Sequence, residues 1–332
     1  MTLLRSATVV EPADRANRAG AARDGTLLVA LGAALWGLDG LLRMPLATSK
    51  VGGRVTAKLN AGTIVLWEHV IAFIVLAPQL PAALRAFARC GWRERAALVT
   101  IGVGASAVAT ALFTKSFALA GVHHDYVTPL VLQQFQPVFA VALAVILLRE
   151  RPQPMLALFA IPALVGGWLV AIAHPLHPQV AELSPALLAL AAAALWGGGT
   201  VLGRYVGGSV TPDDVTTLRF AFGLLGAIGV VAVTGAPIAP GWHNALGLVL
   251  LALIPGIIAL GVYYRGLRGT PASRATFAEL AFPATATVVG IALGTPLTAS
   301  QWVGIVVVAA SVLALGWREA ARAQLTAAAA AS

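Results

Sequence analysis

Ten long apolar stretches run along the chain, separated by short polar or proline-punctuated joints. They lie near 26–47, 60–80, 96–119, 125–147, 154–173, 185–205, 215–234, 244–266, 274–294 and 300–317. Each approaches the roughly 20 residues that a helix needs to cross the hydrocarbon core of a bilayer. In lipid an extended strand would leave its backbone groups unpaired, so each stretch predicts a helix. The joints "PQLPAALRAFARCGWRER", "HPLHPQVAELS" and "TGAPIAPGW" predict loops.

Composition sharpens the picture. The 332 residues are 59% hydrophobic and 11% charged, with a mean hydropathy of +0.86. A soluble domain is roughly 25% charged, so most of this apolar surface must face lipid. The single cysteine, Cys90, excludes an intramolecular disulfide. The first 24 residues are polar, with Arg5, Glu11, Asp14, Arg15, Arg18, Arg23 and Asp24, and lack the apolar run of a signal peptide.

The net charge of +9 raises nucleic acid as a partner, but the bases fall in a membrane pattern. With the N-terminus placed in the cytoplasm, 16 of the 22 Lys and Arg residues lie on inner segments. Arg43, Lys50, Arg54 and Lys58 surround the first outer loop, and Lys115 and Arg219 fall within spans. This asymmetry places both termini inside a bacterial-type inner membrane and accounts for the charge without nucleic acid.

The chain also repeats itself. Ala34–Gly37 and Ala194–Gly197 both read Ala-Leu-Trp-Gly, in spans 1 and 6. Lys115 at the end of span 3 answers Arg265 at the end of span 8, and Pro137 in span 4 answers Pro283 in span 9. One turn before each proline stands a polar residue, Gln133 or Glu279. Five spans per half force the second half to enter the membrane from the opposite side. The expected fold is therefore an all-α integral membrane protein of ten helices in two inverted five-helix repeats. The division is a polar tail (1–24), a first repeat (25–174), an outer connection (175–184), a second repeat (185–317) and an inner tail (318–332). Inverted repeats are the construction of secondary transporters, in which one midplane site opens alternately to each side.

The stretch "GVYYRGLRGTPASRATFAELAFPATATVVGIALGTPLTASQWVGIVVVAASVLAL" (Gly261 to Leu315) resembles the second half of an EamA-type member of the drug/metabolite transporter superfamily. "QPVFAVALAVILLRERPQPMLALFAIPALVGGWLVA" (Gln136 to Ala171) is similar to the matching part of the first half. Two positions depart from the family pattern. Arg149 stands where glycine is usual, and Gly294 and Thr295 stand where glutamate is common. The resemblance implies a ten-helix transporter. Its branch of closest overall likeness contains amino-acid exporters, including those for aromatic amino acids.

An ionisable side chain inside a span costs at least about 2.5 kcal/mol, so such residues normally face a cavity or a partner. Asp39 and Arg43, four apart on one helix, predict a local pair. Arg219 predicts snorkelling or a pair with Asp213 or Asp214. Glu68 and His69 sit mid-span; they are either structural groups bonded to another helix or carriers of a proton. Glu279 is a candidate for the pathway lining. Gln133, Gln134 and Gln136 put amides in mid-membrane, and Pro137 frees the carbonyl of Gln133. They suit either the two ends of an amino acid or interhelical bonding. Pro137 and Pro283 predict kinks, as hinges or as static bends. Trp36 and Trp196, with Tyr263 and Tyr264, are the aromatic candidates for a cavity wall, packing being the alternative for the first two and an interfacial belt for the others. Lys115 joins the candidate pathway as the only lysine within a span.

The leading function is export of amino acids or similar small metabolites by alternating access, with protons as a possible second partner and lipid as surroundings. Nothing in the sequence points to an obligate protein partner. A drug or other-metabolite transporter of the same superfamily is the near alternative. An intramembrane enzyme built on Glu68 and His69 is remote, because no nucleophile or ligand of recognisable spacing joins them. No metal or cofactor is implied. The absence of P-loop, dinucleotide and HExxH motifs argues against an ATP-driven pump.

Overall fold

A computed structural model describes residues 25–51, 54–122, 132–133, 135–150, 154–171, 183–292 and 298–331. Six helical stretches among them are long and apolar enough to cross a membrane: Thr26–Arg43, Ala61–Arg89, Trp92–Ser116, Leu183–Val206, Pro212–Thr234 and Trp242–Arg268. Gln136–Leu148, Leu158–Leu169 and Ala299–Ser311 are shorter apolar helices. Large apolar side chains such as Ile146, Leu158, Leu225 and Val306 face outward, as a lipid-embedded surface requires. The protein is a multi-pass helical membrane protein.

The first span is interrupted. Helix α1 (Thr26–Trp36) stops at Gly37, whose N–H donates to the carbonyls of Ala33 and Ala34, and α2 (Asp39–Ala47) begins two residues later. The expected first outer loop then forms an antiparallel hairpin, Thr48–Val51 with Arg54–Ala57, pairing Thr48 with Ala57 and Val51 with Arg54. The missed signal is the β-branched set Thr48, Val51, Val55 and Thr56 around Gly52-Gly53.

Helix α3 (Ala61–Leu76) starts at Asn60, whose side chain accepts from the Gly62 N–H at 2.9 Å. The predicted loop after it is mostly helix. A single 3-10 turn (Ala77–Gln79) leads into α4 (Leu80–Arg89), and only Cys90 and Gly91 separate α4 from α5 (Trp92–Thr100). Pro78 and Pro81 each fall in a first turn, where a missing N–H removes no bond, so they did not signal a loop. Arg95 closes the joint by donating to the carbonyls of Phe87 and Ala88.

Two stretches widen into π-helix. Ile101–Val108 joins α5 to α6 (Ala109–Val122), and Ala252–Ile258 joins α11 (Ala245–Leu251) to α12 (Ala259–Arg268). Pro255 explains the second, because a proline cannot donate one turn back and its ring crowds the preceding turn. The remaining helices are α7 (Gln136–Leu148), α8 (Pro154–Ala171), α9 (Leu183–Val206), α10 (Pro212–Thr234), α13 (Ala272–Ala278), α14 (Ala281–Ala292) and α15 (Ala299–Ala331). Helix α15 thus continues well past residue 317, where a tail was expected. Residues 1–24, much of the fourth expected span and the connection over 172–182 lie outside the described residues.

Packing is reciprocal between the halves. Helix α1 lies along α12 while α9 lies along α6; α14 meets α1 while α7 meets α9; α3 pairs with α10, and α8 with α15. Small residues permit these approaches. A Cβ added at Gly102 would fall 2.5 Å from that of Phe222, and one at Gly32 would fall 2.8 Å from that of Tyr263.

Candidate functional site

Two polar networks occupy the interior. The first joins three charged side chains from two helices, α2 and α3, around Arg43. Its Nε and Nη2 donate to both carboxylate oxygens of Asp39, at 2.6 and 2.7 Å, and Nη2 also donates to Glu68 Oε2 at 3.0 Å. The local Asp39–Arg43 pair is as the four-residue spacing predicts. The bridge to Glu68 was not legible, because α2 and α3 meet only through tertiary packing.

His69 is a satisfied core residue. It is 2% exposed, with Nδ1 2.8 Å from the Val65 carbonyl and Nε2 2.9 Å from Ser106 Oγ on the π-helical stretch. Its ring meets that of Phe220 edge-on at 5.5 Å. Of the two readings open for His69, the structural one has its bonds in place.

The second network is centred on Glu279. The carboxylate accepts from Tyr263 OH at 2.7 Å, from Thr200 Oγ1 at 2.9 Å and from Gln136 Nε2. Tyr263 OH also lies 3.0 Å from Thr200 Oγ1. Three helices and the α13–α14 joint therefore converge on one carboxylate. Glu279 itself sits in that joint: α13 ends at Ala278 and α14 begins at Ala281, so the ninth span is broken there. Pro283 falls in the first turn of α14, and Pro137 in the first turn of α7 after a turn at Phe135. The prolines open new helical segments where kinks within continuous helices were expected, because a first-turn proline forfeits no hydrogen bond.

Aromatic rings line the same region. Trp36, at the break between α1 and α2, packs on Tyr263 with centroids 4.9 Å apart, and Trp196 meets Phe113 at 5.0 Å. Tyr263 and Tyr264 are both 3% exposed, so neither belongs to an interfacial belt. Tyr264 OH accepts from Arg219 Nη1 at 3.0 Å, and Arg219 Nη2 donates to the Ala105 carbonyl at 3.1 Å. This corrects the expectation that Arg219 snorkels or pairs with Asp213 or Asp214. Asp213 instead pairs with Arg265 at 2.6 Å, and Asp214 accepts from Thr211.

Other candidates fall apart from the cluster. Lys115 is exposed. Gln133 is half-buried, with its Oε1 enclosed and without a hydrogen-bond partner among the described residues. Gln134 lies outside the described residues. Sequence reasoning missed Thr200, which looks like any small polar residue in a Gly-rich helix, and underweighted Gln136. Away from the spans, burial pushes the Cys90 thiol above its ordinary range.

A many-span helical protein whose polar, aromatic-walled interior is assembled from broken helices has the construction of a membrane transporter. Comparison with known proteins agrees. Residues 183–317 match the EamA-like transporter family. The chain is 26% identical over 275 residues to the riboflavin transporter ImpX of Fusobacterium nucleatum, covering 78% of this chain and 86% of that one. It is 28% identical over 190 residues to the uncharacterized transporter YwfM of Bacillus subtilis, covering 54% and 60%. A crystal structure aligns with a TM-score of 0.68 at 18% identity, over 87% of this chain and 96% of its own, which establishes the shared fold. The chain is a multi-pass helical membrane protein whose second half is similar to EamA-like transporters.

Proposed function

We propose that this chain is a secondary transporter that exports aromatic amino acids, or close metabolites, across a bacterial inner membrane by alternating access between two inverted repeats. The observation that carries the substrate class is Glu279. Its described partners, Gln136, Thr200 and Tyr263, are neutral donors, so an ammonium group can supply the counter-charge. Trp36 against Tyr263 offers a flat apolar face for a ring beside it. In this reading Pro137 and Pro283, at the starts of α7 and α14, mark the hinges.

Reciprocal packing supports the repeats, and so does the register. Glu68 lies eight residues beyond the cap Asn60, and Arg219 eight beyond the cap Thr211. Four residues past Ala109 and Ala259, which follow the two π-helical stretches, stand Phe113 and Tyr263. These two rings pack against the paired tryptophans, Phe113 edge-on to Trp196 and Tyr263 tilted against Trp36. The positive charges of Arg85, Arg89, Arg93 and Arg95 at the α4–α5 joint support a cytoplasmic location for that side.

A second reading takes riboflavin as substrate, favoured by the relative ImpX and by the same aromatic wall. Counterflow in proteoliposomes loaded with an amino-acid panel or with riboflavin separates the two. Exchange of phenylalanine, tyrosine or tryptophan is expected. Exchange of riboflavin without any amino acid would replace the first reading by the second.

A further inference from the structure

We infer that the substrate site recognises a zwitterion at two points, with Arg219 as the residue that binds the carboxylate and Glu279 as the pole for the ammonium. This rests on the amino-acid reading above and deepens it. Five charged side chains lie in the interior of the described helices: Asp39, Arg43, Glu68, Arg219 and Glu279. Arg43 accounts for itself and both of its carboxylates at 2.6 to 3.0 Å. Arg219 and Glu279 remain, opposite in sign and bonded to neutral groups alone among the described residues.

Their separation is built in. Tyr263 and Tyr264 are successive residues of α12 with ring centroids 5.3 Å apart. Tyr263 OH holds Glu279 and Tyr264 OH holds Arg219, so one helix keeps the two charges from closing on each other. The Arg219 Nε is buried with no hydrogen-bond partner among the described residues. A half-buried guanidinium bonded to neutral groups alone lacks a counter-charge that an arriving carboxylate supplies. One small molecule carrying both charges, an α-amino acid, complements this pair. An amine without a carboxylate, or a neutral ring system, leaves Arg219 uncompensated.

The test is competition in counterflow of labelled phenylalanine by unlabelled phenylalanine, phenylalaninamide and phenethylamine, for the wild-type protein, Arg219→Gln and Arg219→Lys. The wild type is expected to prefer the free carboxylate by about 10- to 100-fold, the worth of a charge-assisted hydrogen bond. Arg219→Gln should abolish that preference by weakening phenylalanine while leaving phenethylamine unchanged, and Arg219→Lys should retain part of it. Equal competition by phenylalaninamide in the wild type overturns the inference and leaves the aromatic-substrate reading standing. So does an undiminished carboxylate preference in Arg219→Gln. Absence of exchange or competition by every aromatic amino acid overturns that reading itself, and the inference with it. If Arg219→Gln does not assemble, the wild-type competition decides.

Discussion

Glu68→Gln tests whether the ion pair between α2 and α3 holds the interior together. The Arg43 and Glu68 side chains are 15% and 12% exposed and meet at 3.0 Å. At an effective dielectric of about 20 that distance gives about 5 kcal/mol of Coulomb attraction, most of it offset by desolvation of the two ions. Loss of Glu68 leaves Arg43 with Asp39, so Glu68→Gln is expected to cost about 2 kcal/mol. Arg43→Gln strands two carboxylates at once and should cost about 3–5 kcal/mol, the range for an uncompensated buried charge. The double variant should cost less than the sum, with a coupling energy of about 1–2 kcal/mol. The assay is reversible unfolding by SDS in mixed micelles, run as a double-mutant cycle. Additivity to within about 0.5 kcal/mol would refute the pair as an interaction that matters. Replacement of all three charges by neutral residues of similar volume, Asp39→Leu and Arg43→Met with Glu68→Leu, should recover much of the loss, because the desolvation penalty disappears with the charges.

By contrast Asp213→Asn, which breaks the half-exposed pair with Arg265, should shift the same unfolding midpoint by less than about 0.5 kcal/mol. Gly102→Ala forces a Cβ to 2.5 Å from Phe222 and should destabilise by about 1–3 kcal/mol, whereas Gly229→Ala meets nothing within 4 Å and should be neutral or slightly stabilising. Tyr263→Phe removes one of three described donors to Glu279 and should slow counterflow about tenfold without loss of assembly, read by initial rates and size-exclusion chromatography. Cys90 is buried and its thiol lies above the ordinary range, so thiolate is scarce near neutral pH. Maleimide labelling should be slow in the folded protein, rise only in alkaline buffer and become fast on unfolding.

What could be read in the sequence follows from lipid as a solvent. Hydrocarbon demands long apolar helices, so span existence is legible, but it says little about where a helix gives way. The breaks at Gly37 and at Glu279–Leu280 occur inside uninterrupted apolar text, and the helix Leu80–Arg89 occurs inside text that reads as a proline loop. The loop reading comes from treating proline as punctuation regardless of position, whereas in a first turn proline costs nothing.

The polar interior shows the same limit more sharply. A charge in a span must have a partner, and the scarcity of such charges makes Asp39, Glu68, Arg219 and Glu279 conspicuous at once. Which partner it takes is a tertiary fact. Glu68 meets Arg43 across α3 and α2, Glu279 meets Thr200 and Tyr263, and Arg219 meets Tyr264, each across helices that only packing brings together. Nearest-neighbour logic therefore succeeded for Asp39 with Arg43 and failed for Arg219 with Asp213. Register supplies the missing rule. Glu68 and Arg219 stand at equal distances from their helix caps, on α3 and α10, which pack against each other. In the inverted arrangement proposed above, two residues so placed lie equally deep from opposite faces, which brings both near the midplane, and there a charge has few neighbours to choose from. A reading that first aligns caps, then asks which residues share a depth, would have set Arg219 beside the spans of Tyr264 and Ala105 and not beside the surface acids at its own N-terminus.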